Sequence, residues 1–150
     1  MKTYINQVKA LLEEPNMIAS LANLSAFIKT NDNDLNWAGF YFVLNNELVL
    51  GPFQGKVACT HIPFTKGVLG KTYRTNSAQC ISNVHEIKDH IACDCDSNSE
   101  LTVPIFHNQQ IVMILDLDST IIQHFDDSYK EKMLNVCTCI EQAIIQHSWY

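Results

Sequence analysis

Two aspartates end the most apolar run in this sequence. In Ile111-Val112-Met113-Ile114-Leu115-Asp116-Leu117-Asp118, side chains alternate across a strand, so Asp116 and Asp118 share a face with Val112 and Ile114. Burying unpaired carboxylates is costly, so the pair lines a pocket or reaches its mouth. Mutual repulsion raises at least one of the two pKa values. Asp118 alone also reads as a cap on the turn with Ser119; the two together favour the pocket. Glu100 opens the preceding apolar segment, and a hairpin turning at His107-Asn108 sets it roughly opposite residues 115 or 116. Three carboxyl groups then converge with no Lys or Arg close by in sequence. Such a site suits a cation, a substrate ammonium or a proton donor.

The second chemical feature is sulfur. Cysteines stand at Cys59, Cys80, Cys93, Cys95, Cys137 and Cys139. The segment His90-Ile91-Ala92-Cys93-Asp94-Cys95-Asp96 places a thiol beside a histidine in a polar stretch. An imidazolium or backbone N–H groups stabilise a thiolate there, while Asp94 and Asp96 oppose it. A metal reading would use His85, His90, Cys93 and Cys95. The Cys-x-Cys spacing is not the usual Cys-x₂-Cys of structural zinc, so no metal is assigned. Any single cysteine also reads as a small buried hydrophobe. For Cys137 and Cys139, set roughly 200° apart on a helix, packing is the better reading. Trp37, Gly39 and Tyr41 share one strand face and, with Phe53, could wall an apolar pocket, although such aromatics are commonly ordinary core.

The elements that must position these groups follow from periodicity. Ile5, Val8, Leu11 and Leu12 mark a first helix, and a second follows Pro15 with Ile18, Leu21, Leu24, Phe27 and Ile28 on one side. Trp37 to Leu44 and Glu47 to Leu50 form two strands around Asn45-Asn46. Val57 to Ile62 is a third strand, Thr65 to Thr75 a short helix and Gln79 to Ser82 a short strand. Residues 83–98 read as a long loop, a place where function concentrates. Glu100 to Phe106 and Gln109 to Asp118 make a hairpin. A final helix runs from about Asp126 to His147, with Tyr129, Met133, Val136, Ile140, Ala143 and Ile144 as its apolar stripe. The sum is one α+β domain over residues 1–150, with a central antiparallel sheet of about six strands flanked by N-terminal and C-terminal helices.

Composition narrows the function. With 47% hydrophobic and 17% charged residues, the 150-residue chain can build a core. Sixteen acidic against ten basic residues, a net charge of −6, leave no basic patch for nucleic acid or an anionic membrane. No apolar run approaches the roughly 20 residues of a bilayer span. The start Met1-Lys2-Thr3-Tyr4 lacks a signal-peptide core, so the expectation is a soluble, cytoplasmic protein with its cysteines mostly reduced.

Several segments together resemble a known family. Asn36-Trp37-Ala38-Gly39-Phe40-Tyr41, Leu50-Gly51-Pro52-Phe53-Gln54-Gly55, His90-Ile91-Ala92-Cys93-Asp94, Ser97-Asn98-Ser99-Glu100 and Leu115-Asp116-Leu117-Asp118-Ser119 look like the free methionine-R-sulfoxide reductases. These are single GAF-domain enzymes that act on the free amino-acid sulfoxide. The resemblance implies a GAF-like fold and no cofactor. It implies Cys93 as nucleophile and Cys59 as its resolving partner; Cys80 and Cys95 lie outside the family pattern, and Cys95 reads either as a substitute partner for Cys93 or as merely exposed. Glu100, Asp116 and Asp118 would bind and polarise the substrate, Trp37 and Tyr41 would enclose its methyl group, and Ala92 and Asp94 would contact it. Thioredoxin or a similar dithiol would restore the thiols, and a homodimer is implied as the assembly. One departure stands out: Gly67-Val68-Leu69-Gly70 carries Leu69 where the family usually has a third cysteine. That residue favours the rival reading, a non-catalytic GAF-type domain that binds a small molecule or senses redox state.

Overall fold

The computed structural model describes residues 1–89 and 96–150. In chain order the elements are α1 (Lys2–Leu11), α2 (Met17–Thr30), β1 (Leu35–Leu44), β2 (Glu47–Gly55), β3 (His61–Pro63), α3 (Gly67–Thr75), β4 (Gln79–Ile81), a 3₁₀ turn (Val84–Glu86), β5 (Ser99–His107), β6 (Gln110–Ser119) and α4 (Asp127–His147). The six strands form one sheet in the order β3-β2-β1-β6-β5-β4, and every pairing is antiparallel. The expected α+β architecture and strand number are therefore observed.

Local chemistry accounts for the element ends. Asn16 caps α2 by accepting a hydrogen bond from the Ala19 amide, and Asp126 caps α4 through the Tyr129 amide at 2.7 Å. Asn45 and Asn46 both lie in the left-handed region, at φ 51° and 62°, as a two-residue turn between twisted strands requires. Asn108 and Gln109 do the same for the β5–β6 turn, at φ 50° and 66°. The third strand is shorter and later than expected. Val57 is 86% exposed, and regular pairing begins only at His61, which opposes Val49. Gly55, at φ 142°, turns the chain away from β2, so Lys56 to Thr60 run as an irregular crossing segment.

The sheet has two unlike faces. Ala38, Phe40, Phe42, Leu101, Val103, Ile105, Met113, Leu115 and Leu117 pack with Val8, Leu21, Leu24, Ile28, Met133, Val136, Ile140 and Ile144, so α1, α2 and α4 cover one face. Trp37, Tyr41, Leu48, Ile62, Ile111 and Ile114 line the other face together with Leu69 of α3. The two are held in phase by an irregularity between Ile105 and Phe106, where the partner changes from Met113 to Ile111. Val112 is the extra residue. It packs against the helical core and Ile111 against the α3 side, which reverses the simple alternation expected for Val112.

Asp32 ties the helical layer together. Its Oδ2 accepts hydrogen bonds from the Tyr129 hydroxyl at 2.8 Å and pairs with His124 Nε2 at 2.7 Å, joining the end of α2 to the start of α4.

Gly39 is where the second face demands a residue without a side chain. A Cβ there would sit 2.3 Å from Phe53 Cβ and 2.8 Å from the Trp37 ring. Overpacking of this kind forces backbone shifts. Gly39→Ala is expected to lower stability by about 2 kcal/mol, within the usual overpacking range, in urea unfolding followed by circular dichroism. Wild-type stability would show that β1 and β2 part without strain.

Candidate active site

The register of three strands writes the site onto the α3 side of the sheet. Trp37 of β1 lies opposite Asp118 of β6. Asp118 in turn lies opposite Glu100 of β5. One row deeper, Gly39, Asp116 and Thr102 are aligned in the same way, and beyond them Tyr41, Ile114 and Pro104. Directly paired residues project from the same face. Hence the carboxyl groups converge next to two aromatic rings. Carboxylate oxygens of Glu100, Asp116 and Asp118 all lie within 4.8 Å of one another.

Convergence of the three acids is as expected, but Glu100 pairs with Asp118 rather than with residues 115 or 116. The turn is centred one residue later, at Asn108-Gln109, and the extra Val112 moves β6 by one more. The start of β5 is held by a polar frame. Ser99 Oγ donates to Ile121 O at 2.6 Å, Asn98 Nδ2 to Thr120 O at 2.7 Å, and Asn36 Nδ2 to Ser97 Oγ at 2.9 Å.

Burial and repulsion set the protonation state. Glu100 and Asp116 are each only 5% exposed. Burial and the neighbouring Asp118 charge push the Glu100 carboxyl up to about 8. Burial and Glu100 itself hold Asp116 well above the ordinary carboxyl range. A hydrogen bond joins the two side chains, so the pair keeps a proton at neutral pH. Among the described residues, Asp116 Oδ1 is a buried oxygen without a hydrogen-bond partner. Such an oxygen retains the capacity to accept a further hydrogen bond. An all-oxygen set of this kind would suit a hard cation rather than zinc, but a metal would have to displace the shared proton.

The aromatic wall is continuous. Trp37 stacks on Phe53 with centroids 5.1 Å apart and 14° between planes, and on Tyr41 at 5.9 Å. Burial and the three acids push the Tyr41 phenol far up, so it remains a donor. Its hydroxyl donates to the Cys59 carbonyl at 2.9 Å, and Trp37 Nε1 donates to Lys56 O at 3.1 Å. Cys59 packs against this aromatic cluster and is disulfide-bonded. Cys80, Cys137 and Cys139 are free thiols.

Five residues of the sequence reading, His90, Ala92, Cys93, Asp94 and Cys95, lie outside the described residues. Glu100, Asp116, Asp118, Trp37, Tyr41 and Cys59 are brought to one face. Cys80 is not; it opposes Leu101 on β4, with opposite alternation to Glu100, and its thiol donates to Phe125 O at 3.0 Å. Cys137 and Cys139 are buried in the helical core, as packing residues. His85, from the metal reading, pairs through Nε2 with Asn98 Oδ1 at 2.8 Å. Leu69 is 5% exposed and belongs to the cluster against which Cys59 packs. Sequence reasoning missed Thr102 and Thr72, whose hydroxyls meet at 2.5 Å and latch α3 to the floor beside Asp116. A threonine at the inward phase of β5 was the available signal.

No protein-family model matches the chain. The free methionine-R-sulfoxide reductase of Escherichia coli is 42% identical over 131 residues, which cover 87% of this chain and 79% of that protein. The structure of the free methionine-R-sulfoxide reductase from Neisseria meningitidis in complex with its substrate superposes with a TM-score of 0.94. It is 32% identical, and the match covers 98% of this chain and 89% of that one. A solved GAF domain superposes at a TM-score of 0.89 and 34% identity, covering 95% of this chain and 85% of that one. The fold is thus GAF-like, with a carboxyl cluster, an aromatic wall and a disulfide-bonded cysteine on one sheet face. By sequence identity and shared fold over most of its length, the chain belongs to the free methionine-R-sulfoxide reductase family.

Proposed function

We propose that this protein reduces free L-methionine-R-sulfoxide to L-methionine, with Cys93 as nucleophile and Cys59 as resolving thiol. The observation that carries the reading is the Glu100–Asp116–Asp118 cluster facing Trp37 and Tyr41, in which Glu100 and Asp116 are buried, with disulfide-bonded Cys59 against the same wall. A free amino acid brings an ammonium group, which the carboxylate charge holds, and a sulfoxide oxygen, which the protonated carboxyl engages. The rings of Trp37 and Tyr41 enclose the S-methyl group, and Ala92 and Asp94 complete the contacts.

In this reaction the Cys93 thiolate attacks the sulfoxide sulfur while the Glu100–Asp116 pair delivers its proton to the oxygen. Oxygen passes to sulfur as the Cys93 sulfenic acid, and methionine leaves. The Cys59 thiol then displaces water from the sulfenic acid and a disulfide forms. Thioredoxin or a similar dithiol returns two electrons and two protons by thiol–disulfide exchange. Leu69 offers no thiol for a relay, so recycling runs through Cys59, with Cys95 as the alternative partner. The free substrate and the dithiol fit a cytoplasmic protein, and a homodimer is the proposed assembly. Among the described residues no helix is long and apolar enough to cross a membrane. Leu69 is the one feature that favours a non-catalytic sensor, and the assay below separates the two.

Methionine formation from the R and S epimers, with thioredoxin and its reductase as electron source, is the deciding measurement. Turnover with the R epimer alone is expected. Cys93→Ser is expected to abolish it, and Cys59→Ser to yield about one methionine per chain before stalling. Normal thioredoxin-driven turnover in Cys59→Ser would transfer the resolving role to another thiol such as Cys95. No methionine in either format from folded, pre-reduced protein would favour the sensor.

The acid pair also predicts a pH dependence of stability. Folded Glu100 holds its proton up to about 8, against an ordinary 4.5. The folded state thus binds more protons than the unfolded state between these values, and stability falls as pH rises across that window. Its contribution is fully present below 4.5 and gone above the folded value. Glu100→Gln is expected to flatten this fall, melting several degrees above wild type at pH 8, and to raise KM for the sulfoxide. Parallel melting curves of the two proteins from pH 5 to 8 would contradict the assignment.

A further inference from the structure

Residues 56–59 form no regular strand pairing, although Ala58 and Cys59 pack against the aromatic cluster. They follow Gly55, whose φ of 142° turns the chain out of β2, and they precede the first renewed strand contact, Leu50 N to Thr60 O at 3.0 Å. Val57, in the middle, is 86% exposed. The Lys56–Asp96 ion pair, at 2.6 Å, has side chains 67% and 52% exposed, and exposed pairs of this kind restrain weakly. Two backbone carbonyls of the segment nevertheless meet donors fixed in the core. Trp37 Nε1 reaches Lys56 O at 3.1 Å, and the Tyr41 hydroxyl reaches Cys59 O at 2.9 Å.

Both donors are rigid. Trp37 and Tyr41 are 3% and 2% exposed and stack on one another, with Trp37 also stacked on Phe53; they lie four residues apart on β1. A ring buried in a packed cluster loses little further freedom when its polar handle bonds, so such a bond restrains its acceptor well. The same rings that wall the carboxyl site thus carry the Cys59 backbone.

We propose that Tyr41 and Trp37 are positioning residues for Cys59: their two hydrogen bonds to the Lys56 and Cys59 carbonyls fix that segment and raise the effective concentration of the Cys59 sulfur for disulfide formation. The part this plays in catalysis rests on the proposed reductase function, in which Cys59 displaces water from a cysteine sulfenic acid; the anchoring itself rests on the observed disulfide and hydrogen bonds. Without the anchors the segment samples more positions, and the disulfide closes less readily and opens more easily under a given thiol pool.

The test is the disulfide equilibrium of the full chain in mixtures of reduced and oxidised glutathione, read by alkylation and mass mapping of the Cys59 peptide. Tyr41→Phe and Trp37→Phe keep an aromatic ring and remove one donor each. Each is expected to lower the equilibrium constant for disulfide formation about 3- to 10-fold, the size of one net hydrogen bond; tenfold corresponds to about 30 mV. Ile140→Val, in the helical core on the far face, lowers stability without touching the segment and is expected to leave the equilibrium at the wild-type value. Wild-type equilibria in both aromatic variants, or an equal shift in Ile140→Val, would overturn the proposal. If Tyr41→Phe does not fold, Trp37→Phe decides alone. The methionine assay on wild-type protein separates the two ideas. Absent turnover with the shift present removes the reductase reading and keeps the anchor, whereas turnover without the shift removes the anchor.

Discussion

Glu100 and Asp116 cannot both be ionised where the sheet puts them. Each is almost fully buried, no Lys or Arg is close to either in sequence, and Asp118 adds a third carboxyl within 4.8 Å. Two bare carboxylates in such surroundings would pay both for desolvation and for mutual repulsion, and a shared proton relieves both. Much of the surrounding structure serves to hold this pair at hydrogen-bonding distance. The β5–β6 register aligns them, the polar frame from Asn98 and Ser99 seats the start of β5, and the Thr72–Thr102 contact closes the floor. The stability lost here is offset on the other side of the sheet, where three helices bury a continuous apolar core.

The division between faces gives one thin sheet two tasks. Along β1, Ala38, Phe40 and Phe42 point into the helical core, while Trp37, Gly39 and Tyr41 point towards the acids. Gly39 sits beside Asp116 and leaves the space that the Trp37 ring and the Phe53 Cβ fill. A larger residue would separate the wall from the floor. The aromatic rings therefore approach the carboxyl cluster because the residue between them has no side chain, a steric arrangement that a single strand must satisfy on both faces at once.

Much of this was legible in the chain. The change of period at Trp37, the Asn45-Asn46 turn and the stripe of α4 follow from side-chain alternation and helical spacing, which local sequence determines directly. Asp116 and Asp118 announced a site because carboxylates end an apolar strand. Register was less legible. Glu100 pairs with Asp118 because the turn uses Asn108-Gln109 and because Val112 is bulged out, and both depend on how the two faces pack rather than on any local propensity. The same holds for residues 57–60, whose apolar and β-branched types suggest strand, while Gly55 turns the chain out of β2 and regular pairing resumes only at His61. Which groups receive the indole N–H and the phenol of the wall, likewise, is decided by a chain crossing some 18 residues later in sequence.

An acid and a thiolate must coexist for the proposed reaction, and the cluster bears on how. Three ionised carboxyl groups would raise the pKa of any neighbouring thiol and suppress the nucleophile. A proton retained on the Glu100–Asp116 pair removes one of those charges. It thereby weakens the opposition to a thiolate while supplying the proton that the sulfoxide oxygen needs. Once that proton is delivered the pair becomes more negative, and its charge holds the product's ammonium until exchange with solvent reprotonates the acids. The raised carboxyl pKa and the thiol chemistry are then parts of one electrostatic arrangement, which burial and strand register set up.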